Sequence, residues 1–357
     1  MQKKRIQNRI AESRWTQAWV VSAAMLVWIV AGLHSLTVVA PGVCLLLATY
    51  LMMELNNANA LIRIYSRMVS CSFIVLATMA VFMFPSIRSS IVMLGMVGFY
   101  SLSFRCYQDT NAPGWTFYAY FCIGMASVVW VQMLYFLPIL WVISRTNLLS
   151  LSVKSFVSSL LGITLPYWFY APYLAAKGEI SLLAKHFLQL GIFEKPLDFT
   201  SLTTSNIAVL AYVLLCAIIG IIHFSNQKRN DSIRIRLFFQ VFITIDIATI
   251  VFLFLQPQHF EALLSVLIVT TSPLIAHFFA LTHTRITNWV FILLSAAALI
   301  ITIINLWTLS HVQLKETFPI KLEIGVENIK LNILVILLKI ITNTQEWVHL
   351  LAIISAV

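Results

Sequence analysis

The sequence predicts an all-α protein: a polytopic transmembrane helix bundle of about eleven spans, with its N-terminus cytoplasmic. Three observations carry this. Of 357 residues, 60% are apolar and only 10% charged, and the mean hydropathy is +0.91. Soluble domains hold about 45–50% apolar and about 25% charged residues, so a water-soluble fold of this size could not hide so much apolar surface. The apolar residues gather into runs of about 20, the length that crosses roughly 30 Å of hydrocarbon. Finally, the net charge of +10 sits in short connections between those runs. That is how cytoplasmic loops meet anionic lipid, and it is not the pattern of a nucleic-acid binder. An ordinary cytosolic enzyme, a disordered chain and a disulfide-rich secreted module are excluded.

Residues 1–15 form a basic cytoplasmic N-terminus with Lys3, Lys4, Arg5, Arg9 and Arg14. The following apolar run is longer than a signal peptide's and lacks a small-residue cleavage site, so it reads as an uncleaved first span. The bundle occupies 16–308. Spans one and two cover about 16–34 and 38–54, joined through Pro41 and Gly42. Arg63 and Arg67 follow the polar stretch Glu54-Leu55-Asn56-Asn57. Spans three and four cover about 68–84 and 90–105, the latter ended by Arg105 and the turn Asn111-Ala112-Pro113-Gly114.

The stretch 115–144 is long for one helix and short for two. Charge parity decides. With two crossings, Arg63, Arg67, Arg105, Arg145, Lys154, the cluster Lys228-Arg229…Arg234…Arg236 and Arg285 all fall on the N-terminal side, and Arg88 alone falls opposite. With one crossing, every later basic loop lands outside. The expectation is therefore two short spans, about 114–130 and 132–149, meeting near Trp130-Val131-Gln132.

The seventh span, about 154–174, ends in the aromatic cluster Pro166, Tyr167, Trp168, Tyr170, Pro172 and Tyr173, as at a membrane interface. An external segment, about 175–203, follows, with Ile180–Leu190 as a surface helix. Four more spans cover about 204–224, 238–255, 261–281 and 288–308. In the C-terminal tail, 309–357, the residues Phe318, Ile320, Leu322 and Ile324 alternate with polar ones, a strand-like period. Two short apolar runs, Leu331–Ile341 and Trp347–Val357, read as amphipathic surface segments.

The five cysteines lie within or at the ends of apolar runs without metal-ligand spacing, so no metal and no cofactor is expected. Glycine-rich phosphate loops and the common hydrolase and zinc motifs are absent. Asp246 is the sharpest residue. It sits mid-span, where a carboxylate costs about 2.5–3.5 kcal/mol and needs a partner, water or a proton. His277 lies on the next span but roughly 9 Å away along the axis, so direct pairing needs a tilt or a kink. Arg63 and Arg67, four apart, read as one face of a helix, and with Arg105 they could receive a phosphate or lipid head group. On the outer side Glu194, Asp198, His259 and Glu261 are the groups able to do acid–base work.

Two stretches, Glu54-Leu55-Asn56-Asn57 to Arg63…Tyr65-Ser66-Arg67 and Phe117-Tyr118-Ala119 through Gly124 to Gly162…Leu165-Pro166-Tyr167-Trp168, resemble a family of uncharacterised polytopic inner-membrane proteins of Gram-negative bacteria. The resemblance covers about a third of the chain and implies no assigned activity. The 115–173 pattern also resembles membrane glycosyltransferases that use lipid-linked sugars, although the loop from about His34 to Pro41 lacks their carboxylate pair. The expected function is binding or translocation of an amphipathic, anionic, lipid-linked substrate in the bacterial inner membrane. Two alternatives stay open: an envelope-glycan glycosyltransferase, polymerase or ligase using a polyprenyl-linked donor, and a structural subunit among other membrane subunits.

Overall fold

A computed structural model describes residues 5–32, 36–200 and 202–317. The tail beyond 317, with its expected alternating stretch and two surface segments, lies outside the described residues, as do His34 and Ser35 in the first connection. Contacts divide the chain into a unit of residues 1–310 and a second of 311–357, whose described part is the end of the last helix.

All regular structure among the described residues is helical. In order come α1 (Ile6–Glu12), α2 (Thr16–Gly32), α3 (Val39–Asn59), α4 (Met68–Met79), α5 (Ile87–Ser103), α6 (Pro113–Val129), α7 (Leu137–Thr146), α8 (Val153–Ala176), α9 (Ser181–Leu188), α10 (Thr204–Gln227), α11 (Ile233–Leu255), α12 (Phe260–Leu281) and α13 (Arg285–Thr317). Local chemistry sets the boundaries. The side chains of Ser86, Ser152, Thr203 and Ser232 accept from the third amide of α5, α8, α10 and α11 respectively, which satisfies donors the helix leaves free. Pro113 opens α6, where its missing N–H costs nothing.

Among the described residues, six helices are long and apolar enough to cross a membrane: α3, α5 with its extension to Cys106, α10 with its extension to Asn230, α11, α12 with the turn from Pro257, and α13 as far as Leu309. A seventh is added if α1 and α2, bent by 91° at their junction, count as one. The 12-residue α4 and the stretch Val131–Thr146 are apolar but shorter.

The connections gather at two ends of the bundle. At one, Asn8 donates to the Thr282 carbonyl, Arg67 reaches Gln17 at 3.4 Å, Arg63 donates to the Asn230 carbonyl and Arg234 donates to Asn59. The connections that carry Arg63, Arg67 and Arg234 are therefore neighbours in space. At the other, Trp28 stacks on Phe84, Ser89 meets Glu261, and the Leu197 amide donates to the Phe254 carbonyl.

The 115–144 stretch breaks at Trp130, whose backbone is extended (φ −141°, ψ 95°). Past it, a 3-10 turn over Val131–Phe136 leads into α7, which runs back along α6, so that Tyr120 and Ser144 hydroxyls meet at 3.2 Å. The return is complete: the Gln108 amide donates to the Leu148 carbonyl at 2.8 Å, and Ser152 donates to the Thr110 carbonyl.

Two packing features position the sites. First, α6 and α8 cross at backbone contact: a Cβ on Gly124 would stand 2.7 Å from the Ile163 carbonyl oxygen, and one on Gly162 would stand 2.5 Å from that of Phe117. Small residues allow such close approach where lipid supplies no hydrophobic driving force. Second, α12 is wholly enclosed by α4, α5, α10 and α11, and its core carries Ser265, Thr270, Thr271, Ser272 and His277.

Arg63 and Arg67 do not share a helix, contrary to expectation. Ala60 adopts a left-handed conformation (φ 50°) that ends α3, and residues 61–67 form a bent, non-helical connection. The Asn56 side chain pins this connection by donating to the Ser66 carbonyl at 3.0 Å.

Candidate functional site

Three places stand out among the described residues: a buried ion cluster, a buried lone acid and an apolar groove. The first lies at the basic end. The Asp231 side chain is fully buried and bridges two partners: Arg63 Nε at 3.0 Å from Oδ1, and His277 Nε2 at 3.1 Å from Oδ2. His277 is equally buried, whereas the Arg63 side chain keeps 38% of its surface exposed. His277 packs among Phe224, Phe239 and the ring of His223, whose centroid is 5.3 Å away. His277 Nδ1 and His223 Nε2 are both buried without a hydrogen-bond partner. A carboxylate taken from water is tolerated when its charge is paired: Arg63 supplies an ion pair to Oδ1, which takes no hydrogen bond, and His277 hydrogen-bonds Oδ2.

The other two arginines stand apart. Arg67 turns to Gln17 and Tyr65, and Arg105 lies over the Trp115 ring at 4.9 Å. Of the expected phosphate-binding trio, only Arg63 reaches a buried acid. The position of Asp231 in the sequence hid this. It stands beside Lys228 and Arg229, just before the Ser232 cap, and reads as the acid of a solvated loop. Parity, which places that loop beside Arg63, is the signal that could have found it.

The second place is mid-bundle. Asp246 on α11 is fully buried, and its Oδ1 accepts from the Thr270 hydroxyl at 2.5 Å and the Thr271 hydroxyl at 3.0 Å. Its Oδ2 has no partner. Beside it, the Tyr100 ring packs on Phe242 at 4.9 Å, one turn before Asp246, and the buried Tyr100 hydroxyl is also unpaired. Among the described residues no Lys, Arg or His pairs with Asp246. His277 is not its partner: the rings of Phe239 and Phe242 stand in the chain of contacts from His277 to Tyr100.

The third place is at the opposite end. A groove of about 610 Å³ runs between the 131–139 stretch and α11, beneath residues 193–196 of the external segment. Its walls are Phe136, Ile139, Ala248, Val251, Phe252 and Leu255, and Tyr135, Glu194 and Gln256 form its polar rim. The Gln256 side chain holds the rim by accepting from the Glu194 amide at 3.2 Å, and Tyr135 donates to the Leu190 carbonyl.

The four outer candidates do not converge. Glu194 edges the groove. Asp198 is exposed and bound by Thr200, whose hydroxyl and amide hold its carboxyl below the usual range. The His259 ring packs on Trp130 and Phe252, while Glu261 faces Ser89 at 3.5 Å. Near the groove, His186 of α9 hydrogen-bonds the Ser127 carbonyl at 3.0 Å, and burial lowers its pKa. Among the described residues no group of three His, Cys, Asp or Glu side chains could hold a metal ion. Comparison of the chain with protein-family models, curated proteins and solved structures returns no match.

Proposed function

We propose that the chain is an inner-membrane protein of about eleven spans, N-terminus cytoplasmic, that binds or translocates an amphipathic, anionic, lipid-linked substrate. On this reading it belongs with the uncharacterised Gram-negative family that its motifs resemble. The span count is supported by the grouping of basic connections at one end and by the return of α7 along α6.

The groove beside α11 carries the functional reading. Its volume, about 610 Å³, suits a small-molecule or single-chain ligand. Val251 and Leu255 on its wall are about half exposed on the flank of the bundle, where lipid would lie. An apolar wall reachable from lipid, ending in a tyrosine, a carboxylate and an amide, matches a molecule with a hydrocarbon tail and a polar head. Lys195, between the rim residues Glu194 and Pro196, is the nearest cation in sequence for an anionic head group.

Ala248→Trp fills the groove without adding charge. The expected result is about tenfold less lipid-linked phosphate co-purifying with the protein in mild detergent, read by mass spectrometry. An unchanged complement of bound lipid would overturn the assignment. A second reading, a glycan enzyme acting on a polyprenyl-linked donor, is favoured by the carboxylate of Glu194 at the mouth of the same groove. Glu194→Gln separates the two: an enzyme keeps its bound lipid and loses glycan transfer, whereas a carrier keeps both its bound lipid and its transport.

A further inference from the structure

We infer that Asp246 is a proton-binding site inside the bundle, with the Tyr100 hydroxyl as the partner of its free oxygen. The proton sits on Oδ2, the carboxyl oxygen that no other group satisfies. Tyr100, whose ring packs on Phe242 one turn before Asp246, presents the second unpaired buried oxygen of the same region. Two fully buried orphan oxygens on neighbouring helices, linked through the Phe242 ring, have one simple resolution: a small side-chain adjustment that joins them. With the proton present, the carboxyl O–H donates to Tyr100 Oη. With the proton gone, the Tyr100 hydroxyl turns and donates to Oδ2.

The hydroxyl cage makes both states reachable. Thr270 and Thr271 donate to Oδ1, and Tyr100 adds a third donor to the ionised form. Hydrogen bonds to the charged state offset part of the cost of burying it, and a carboxylate with no counter-charge otherwise keeps its proton. Permanent packing would need only an amide, which would fill both positions at no electrostatic cost. Of the titratable groups on the helices packed around Asp246, Tyr100 of α5 packs on Phe242 one turn away, and Thr270 and Thr271 of α12 do not titrate. His277, about two turns further along α12, is committed to Asp231 beyond Phe239 and Phe242. The site is thus separate from the basic-end cluster, and it does not depend on what fills the groove.

Infrared spectroscopy of the protein in lipid nanodiscs, titrated from about pH 5 to about pH 10, tests this directly. The expected result is one carbonyl band of a buried protonated carboxylic acid that shifts in D2O and fades reversibly as pH rises. The band is lost in Asp246→Asn and moves to higher frequency in Tyr100→Phe. Should Asp246→Asn fail to fold, the Tyr100→Phe shift and the D2O exchange of the unaltered protein decide. Absence of the band at every pH would mean a carboxylate ionised at rest and overturn the inference. A band that neither titrates nor exchanges would show a fixed packing group, and loss of the band on adding sodium at constant pH would assign the cage to a metal cation; either result overturns it too.

Discussion

Asp231 and Asp246 both have fully buried side chains, and each meets α12. They solve the same electrostatic problem in opposite ways. Asp231 has a guanidinium and an imidazole, one on each oxygen. Asp246 has only hydroxyls, and one oxygen goes without. Near a basic membrane face, cations are at hand and an acid can act as a fixed clamp between connections. Mid-bundle there are none, so the acid is held by neutral donors, and its protonation becomes the variable.

The contrast predicts unequal sensitivity. Asp231→Ala strands a buried histidine and a half-buried arginine together, and should lower stability by about 3 kcal/mol, the low end for a broken buried pair because Arg63 keeps water. Denaturant-induced unfolding in detergent measures this, and a loss below about 1 kcal/mol would mean that the clamp contributes little. Asp246→Asn keeps the shape and the hydroxyl contacts, so its loss should stay below about 1 kcal/mol in the same assay while proton binding disappears. A loss as large as that of Asp231→Ala would erase the distinction between the two acids.

The smallest effect concerns His186, a part-buried polar contact of the external segment. Its pKa is lowered by burial, so the folded protein binds less proton than the unfolded chain in the window beneath the ordinary histidine value. Stability from this group is full above about pH 6.5 and falls as pH drops toward the folded value. Acidification should therefore loosen α9 from α6, seen as faster proteolysis within the external segment. His186→Phe keeps the ring contacts with Tyr167 and Phe187 and should flatten that dependence.

Much of this architecture was legible in the chain. Apolar run length located the long helices between 16 and 308, six of which, among the described residues, are long and apolar enough to cross a membrane, because in lipid a helix must satisfy its own backbone. The break at Trp130 came from charge parity alone, which works because loop charge is a long-range constraint that needs no contact information. Asp246 was legible for the converse reason: a single acid among apolar neighbours has no surface to reach. Asp231 was not, since among charged neighbours a buried acid and a solvated one look alike. The spacing of Arg63 and Arg67 misled because the chain leaves the helix at Ala60, a residue with no turn signature. The mates of Asp246 were hidden too: threonine and tyrosine are ordinary residues in apolar helices, and only packing brings them to one carboxyl group.

The enclosure of α12 bears on biogenesis. A segment with mean hydropathy 1.9 can partition into the bilayer by itself. Its finished position nonetheless touches no lipid. Entry into the bilayer and arrival at the centre must then be distinct events, with its serines, threonines and histidine meeting acyl chains in the interval. Chaperoning of nascent membrane segments would matter most for this one, and a ribosome stalled just after α12 would hold the chain at its most vulnerable moment.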